Sequence, residues 1–193
     1  MGIKTPREFK QMEYSWLLVK LAKFFKPTTY VEIGVKKCHT FNAMLPHVLR
    51  AVAVDVANTQ NYVNSGYKNW EFFHMTSQDF AKKWKTPIDF LFIDGDHKME
   101  SVIADFENLF KWVLPDKGLI FLHDTYPIKK ELLQDGYCSD AWKAANYLRQ
   151  KANGRHPKGF VYEIVTLPGP WAGLSIIRKL SREGRRVNHG WMA

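Results

Sequence analysis

Residues 88–97, Ile88-Asp89-Phe90-Leu91-Phe92-Ile93-Asp94-Gly95-Asp96-His97, decide the fold: an apolar run of strand length stops abruptly at acids, a glycine and a histidine. A short apolar run bounded in this way reads as a strand buried on both faces, as in a parallel sheet. Downstream, Val102, Ile103, Phe106, Leu109, Phe110 and Val113 fall along one helical stripe, and Leu114-Pro115-Asp116-Lys117-Gly118 closes it. A further strand, Leu119 to Leu122, then runs into His123-Asp124.

The same alternation extends upstream. Tyr30 to Ile33 predicts a strand stopping at Gly34, Thr40 to Leu49 a helix, and Ala51 to Val56 a second buried strand. Trp70 to His74 predicts a third strand and Gln78 to Trp84 a short helix. Before them an amphipathic helix is expected over about residues 9–26, with Tyr14, Leu17, Leu18, Leu21, Phe24 and Phe25 opposite Lys20 and Lys23. Lys26-Pro27 ends it. Toward the other terminus, Ser139 is a candidate N-cap for a helix reaching about Lys151. Phe160 to Thr166 and Gly173 to Arg178 predict two strands joined by Leu167-Pro168-Gly169-Pro170-Trp171, a hairpin closing the sheet.

Strands alternating with helices imply an α/β fold: a doubly wound, mostly parallel seven-stranded sheet with a C-terminal antiparallel hairpin. Ligands of such sheets bind outside the carboxyl ends of the strands, where strand order reverses. Gly34, Asp55, Asp94 and Asp124 all fall at those ends. The 193 residues suit one domain, 1–193, with a basic tail over about 179–193.

Composition narrows the setting. Apolar residues make up 46% and aromatics 15%, enough for a packed interior. The charge is +9, from 28 Lys and Arg against 19 Asp and Glu, which favours anionic partners. The lysines are scattered rather than grouped in a block, so a solvated basic surface is the favoured reading. Cys38 and Cys138 lie far apart with no CxxC partner, so neither a disulfide framework nor a zinc cluster is expected, and a cytoplasmic setting is. The apolar stretch from Tyr14 to Phe25 is interrupted by lysines and is shorter than the ~20 residues of a membrane span, and no signal-type segment precedes it.

The strand ends carry the chemistry. Val31-Glu32-Ile33-Gly34 ends in an acid and a glycine, and Gly34 lets the backbone approach a ligand where a Cβ would obstruct it. Asp55, 23 residues after Glu32, can accept hydrogen bonds from a ribose diol, although it could also merely cap a turn. Val35-Lys36-Lys37-Cys38 follows Gly34, so no G-x-G-x-x-G phosphate loop is present. A nucleoside ligand without phosphates fits that pattern.

Phe92-Ile93-Asp94-Gly95-Asp96-His97 and Gly118-Leu119-Ile120-Phe121-Leu122-His123-Asp124-Thr125, with the turn at Gly34, resemble class I S-adenosylmethionine-dependent methyltransferases. More narrowly they resemble the macrocin and rhamnosyl O-methyltransferase group, over about residues 28–178. The resemblance implies a Rossmann-like methyltransferase fold and S-adenosylmethionine as cofactor. It places Glu32 and Gly34 beside the methionine moiety, Asp55 on the ribose, and Thr76-Ser77-Gln78-Asp79, with Ser77 and Asp79 as contacts, near the adenine. Asp94 borders the same cofactor. The group commonly carries a small residue, often glycine, where this chain has Cys38.

Asp94, His97 and Asp124 form a second constellation. Two carboxylates on adjacent strand ends repel, and a hard divalent cation such as Mg²⁺ relieves that repulsion. His97 lies three residues past Asp94 and can take a proton from a hydroxyl near neutral pH, with Asp94 beside it as a second catalytic group. In the related enzymes the metal shell resembles Asp94, Asp124 and a residue adjoining Asp124. Here the adjoining candidates are His123 and Thr125, and a nitrogen ligand at His123 suits a softer metal than Mg²⁺. Without a metal, Asp94 and Asp96 could cap the following helix, and His97 could simply pair with Asp124.

The expected activity is therefore methylation of a hydroxyl on a sugar, glycoside or polyketide-type small molecule, with divalent metal dependence. Methylation of nucleic acid is the alternative that the +9 charge leaves open. The Asn/Asp-Pro-Pro-aromatic loop common in base amino-methylation is replaced by Asp94-Gly95-Asp96-His97, which counts against it. A non-catalytic binding module would show a broken acid set, and this set is whole. Trp171 and Tyr126 are further candidates to touch an acceptor, while Trp84, Trp112 and Trp142 read as core. His39, His47, His74, His156 and His189 show no ligand spacing. The chain has little beyond residues 126–140 and its first helix to cover a site, so a homo-oligomer or a large, loosely enclosed acceptor is expected; no membrane partner is.

Overall fold

Three of the apolar runs fold as strands whose residues are all buried: β1 (Thr29–Ile33), β4 (Phe90–Ile93) and β5 (Leu119–His123). A computed structural model describes residues 6–169 and 172–181, with side chains from Tyr14 onward. With β2 (Arg50–Asp55), β3 (Trp70–His74), β6 (Tyr162–Leu167) and β7 (Leu174–Lys179) they form one seven-stranded sheet in the order β3-β2-β1-β4-β5-β7-β6. Strands β1 to β5 run parallel, and β7 is inserted antiparallel between β5 and β6. The chain starts mid-sheet at β1, winds out through β2 to β3, and returns to β4 on the other side of β1. The order thus reverses between β1 and β4, where a ligand crevice is expected.

Alternating side chains divide the interior into two layers. Val31, Ile33, Leu91, Ile93, Ile120 and Leu122 face α4 (Met99–Phe110), α3 (Ser77–Lys83) and α5 (Ala141–Lys151). Tyr30, Phe90, Phe92, Leu119 and Phe121 face α1 (Pro6–Phe25) and α2 (His39–Met44). Among the described residues no helix is long and apolar enough to cross a membrane.

Several boundaries differ from expectation, each for a local reason. The helix expected over 40–49 stops at Met44, because Pro46 draws Leu45–His47 into a 3₁₀ turn. Ile88 makes only an isolated bridge to Val113, so β4 starts at Phe90. Ser139 does not cap α5: its φ is 43°, and Asp140 occupies the N-cap position. The Asp140 carboxylate reaches instead to α4, accepting from the Met99 amide at 2.7 Å. Among the described side chains of α1 the buried positions are Leu18 and Ala22, whereas Phe24 is 78% exposed. Trp171, His189 and tail residues 182–193 lie outside the described residues.

The switch point itself rests on Gly34. Its φ is 82°, and its amide donates to the Val54 carbonyl at 2.8 Å. A Cβ there would stand 2.4 Å from the Asp94 carbonyl oxygen and 2.5 Å from the Gly95 Cα. The close approach that requires glycine is therefore one of chain to chain, joining the ends of β1 and β4. Replacing it combines backbone strain with a clash against main-chain atoms that cannot move aside. We expect Gly34→Ala to cost about 2–4 kcal/mol in urea denaturation; a loss below about 0.5 kcal/mol would show the turn to be unconstrained.

Candidate active site

Glu32, Gly34, Asp55, Ser77, Asp94, His97, His123 and Asp124 line one cleft of about 670 Å³ at the carboxyl edge of the sheet. Its floor is acidic and buried. Glu32 is 2% exposed, and the Tyr30 hydroxyl, two residues back on the same strand face, donates to its Oε2 at 2.5 Å. Burial pushes Glu32 well above the usual carboxylate range; the Tyr30 bond opposes this, and the charges of Asp94 and Asp55 add to it.

Asp94 and Asp124 follow directly on the paired strands β4 and β5. The His123 imidazole lies between them, with Nδ1 2.8 Å from Asp94 Oδ1 and 3.4 Å from Asp124 Oδ1. Burial disfavours a charge on His123, but the two carboxylates outweigh it and push the group up to about 10. Burial also works against the Asp94 carboxylate, and His123 more than compensates, holding it below its usual range. Asp124 adopts a φ of 58°, a conformation that β-carbon residues keep only where surroundings enforce it. The Cys138 thiol donates to its Oδ1 at 3.4 Å.

His97 covers both acids. Its Nδ1 is 3.2 Å from Asp124 Oδ2, and its Nε2 is 3.6 Å from Asp94 Oδ1. Nδ1 also donates to the backbone carbonyl of Tyr137. A carbonyl can only accept, so Nδ1 keeps its proton and Nε2 is the nitrogen that gains or loses one. Burial lowers the proton affinity of His97, but the hydrogen bond with Asp94 and the charges of both acids hold it above the ordinary imidazole value.

The geometry also separates the alternatives left open by the sequence. Thr125 is turned away, its Oγ1 accepting from Ser175 Oγ at 2.9 Å, and Ser175 in turn pairs with Thr166 at 2.7 Å. His123 is the neighbour of Asp124 that joins the group: ligand atoms of Asp94, His123 and Asp124 lie within 4.8 Å of one another. Asp96 braces the turn into α4, accepting from the Lys98 amide at 3.3 Å and from Ser101 Oγ at 2.8 Å, while Asp94 lines the cleft.

On the cofactor side Asp55 is already engaged. Its Oδ2 accepts from the amides of Val35 at 3.0 Å and Lys36 at 2.9 Å, and Oδ1 accepts from Ala57 at 2.8 Å. It braces the turn after Gly34, and Oδ1 retains acceptor capacity. Within that turn Lys36 and Cys38 take φ values of 47° and 56°. This left-handed backbone at Cys38 accounts for the glycine common there in related proteins. Burial pushes the Cys38 thiol up to about 11, so it is not a nucleophile near neutral pH. Asp79 lies outside the cleft. Thr76 caps α3 by accepting from the Asp79 amide at 3.1 Å and donating to its Oδ2 at 2.9 Å, while Lys82 holds Oδ1 at 2.9 Å.

Other lining residues carried no sequence signal. The Tyr14 ring lies 4.1 Å from the His123 ring, and His39, Tyr137, Lys36 and Lys37 complete the rim. Tyr14 reads in the sequence as one more apolar position of an amphipathic helix. Of the 126–140 segment, Asp135, Gly136, Tyr137 and Ser139 line the cleft, and Leu132 and Cys138 pack against Ala172. Tyr126 is 49% exposed and its amide donates to Ala172, outside the cleft lining.

The strand order and the acid-bearing strand ends define a Rossmann-like methyltransferase fold, and known proteins agree with that class. Residues 31–125 match a family model described as a methyltransferase domain. The structure is similar to the S-adenosylhomocysteine-bound methyltransferase PaMTH1 of Podospora anserina, at TM-score 0.69, 13% identity, and 92% and 83% coverage of this chain and that one. It is similar to the O-methyltransferase TomG of Streptomyces achromogenes, in complex with S-adenosylmethionine, at TM-score 0.64, 13% identity, and 93% and 82% coverage. It is also similar to the N-methyltransferase NodS of Bradyrhizobium japonicum, at TM-score 0.66, 14% identity, and 91% and 99% coverage. The chain thus has the Rossmann-like methyltransferase fold, and its residues 31–125 match a methyltransferase domain.

Ser77 has a second attachment. It hydrogen-bonds the carboxyl of Asp105, which is 4% exposed inside α4. Burial raises Asp105 to about 6; the Ser77 bond lowers it and the charge of Asp96 raises it further. Its folded value thus lies above the unfolded one, so its contribution is most favourable below pH 4 and is lost as pH rises through about 6. We expect Asp105→Asn to remove that loss, so that the variant gains about 2 kcal/mol on the wild type between pH 4 and 7.5. Parallel stability curves across that range would count against a proton on Asp105.

Proposed function

We propose that the chain methylates a hydroxyl group of a sugar, glycoside or polyketide-type small molecule, with a divalent cation at Asp94, His123 and Asp124. The observation that carries this reading is the placement of His97 on the floor of the cleft, with Nε2 beside Asp94 and Nδ1 beside Asp124. An amine can reach its reactive neutral form without such help. A hydroxyl must lose its proton as it attacks, and an acid–histidine group serves that step.

The cleft suits the cofactor on three counts. Its volume of about 670 Å³ is in the range of small-molecule sites, roughly 300–1,000 Å³. Helix α2 is only six residues long and follows a turn without a phosphate loop, which favours a nucleoside lacking a pyrophosphate. Glu32, Gly34, Asp55, Ser77 and Asp94 all line it, and would hold the methionine, ribose and adenine moieties. S-adenosylmethionine supplies an electrophilic methyl group there. For the cation, three ligand atoms within 4.8 Å match a compact coordination site, and the charge would relieve repulsion between the acids and acidify an adjacent hydroxyl.

This chain's own residues then do the following. Asp94 and Asp124 fix the position of His97, and the Tyr137 carbonyl fixes its tautomer. His97 accepts the hydroxyl proton at Nε2 as the oxygen takes the methyl group in line. Tyr14 and residues 135–139 cover the opening and limit water. The resemblance of residues 92–97 and 118–125 to the macrocin and rhamnosyl group supports a glycosidic or polyketide-type acceptor.

Three measurements test this reading. Calorimetry is expected to show S-adenosylhomocysteine binding that Asp55→Ala weakens by about 10–100-fold; unchanged affinity would remove Asp55 from the cofactor site. With a hydroxylated acceptor, His97→Gln is expected to lower kcat by about 10²–10⁴-fold with little change in cofactor affinity. Activity should also vanish with a chelator and return with a divalent cation, and indifference to both would rule out the metal.

A further inference from the structure

From the donor set we infer that the Asp94–His123–Asp124 site selects a divalent transition ion of the Mn²⁺-to-Zn²⁺ series over Mg²⁺. The inference rests on the metal reading proposed above and adds the identity of the ion. Mg²⁺ is hard, keeps water readily and takes oxygen ligands, whereas imidazole nitrogen suits transition ions. One nitrogen among three donors therefore biases the site, provided that the nitrogen cannot be exchanged for an oxygen.

The fold holds that nitrogen against both acids. The His123 ring is 7% exposed and is held between Tyr14, 4.1 Å away, and Phe92, 6.1 Å away in an edge-on contact. This packing aims Nδ1 at the two carboxylates, 2.8 Å from Asp94 Oδ1 and 3.4 Å from Asp124 Oδ1. Two neighbouring oxygens already have hydrogen-bond partners. Thr125 Oγ1 accepts from Ser175 at 2.9 Å, and Glu32 Oε2 is bonded to the Tyr30 hydroxyl at 2.5 Å. The Cys138 thiol orients Asp124 from behind at 3.4 Å. On binding, the ion takes the place of the proton that His123 shares with Asp94, and that proton leaves to solvent. Two acids and one imidazole on adjoining strand ends leave the remaining coordination positions for cleft ligands.

Co²⁺ is a suitable probe, because its d–d absorption reports binding without any turnover. Titration of the whole chain is expected to give one Co²⁺ per chain, and about 100-fold excess Mg²⁺ should displace little of it. His123→Asp makes the set all-oxygen. It is expected to weaken Co²⁺ by about 10–100-fold while narrowing the gap to Mg²⁺, with retained S-adenosylhomocysteine binding as the check on folding. The wild-type competition decides the question even if that variant does not fold. Displacement of Co²⁺ by a less than tenfold excess of Mg²⁺ would overturn the selectivity while leaving the metal reading intact. Failure of every divalent ion to bind folded, cofactor-competent protein would overturn the metal reading, and this inference with it.

Discussion

The contact between the ends of β1 and β4 is the constraint from which the site follows. Gly34 packs its Cα against the main chain of Asp94-Gly95, where a methyl group would collide. That contact fixes how far Glu32 and Asp94 stand apart, and so brings a buried strand acid beside the acid that opens the next loop. The Asp94 amide donates to the Ile33 carbonyl at 2.9 Å across the same junction. A sheet that reverses direction here leaves a gap between outgoing loops, and the glycine keeps that gap narrow at its base. The cleft is thus a property of two strand ends, with the helices determining only what covers it.

A floor crowded with carboxylates is costly unless something cationic or hydrogen-bonding answers them. The chain supplies several answers. Tyr30 serves Glu32, His123 serves Asp94 and Asp124 together, and backbone amides serve Asp55. These partners differ in permanence. Amides and the buried phenol are fixed parts of the fold, whereas an imidazole can give up its proton to make room for a cation.

The parallel core and its acid-bearing ends were legible in the sequence because both rest on local signals. Apolar runs such as Phe90–Ile93 need only their own composition to be read as buried strands, and an acid that ends such a run must lie at the sheet's edge. What escaped depended on partners distant in sequence. Asp140 looks like the start of its own helix yet caps α4, 41 residues away. Ser139 has good cap chemistry but a φ of 43°, set by the turn that carries Asp140 there. Asp79 bears the charge expected of a cofactor contact, and Thr76 and Lys82 hold it back in the first turn of α3. Tyr14 carries no local mark of its role, since its place over His123 arises only from how α1 lies on the sheet.

Residues 135–140 are tied to the cleft wall by two bonds rather than one. The Tyr137 carbonyl holds the proton on His97 Nδ1, and three residues later Asp140 holds the first turn of the helix that follows His97. Any outward swing of residues 135–140 would therefore loosen both His97 and the helix start behind it. The orientation of His97 and the seating of α4 are thus joined mechanically through one short segment.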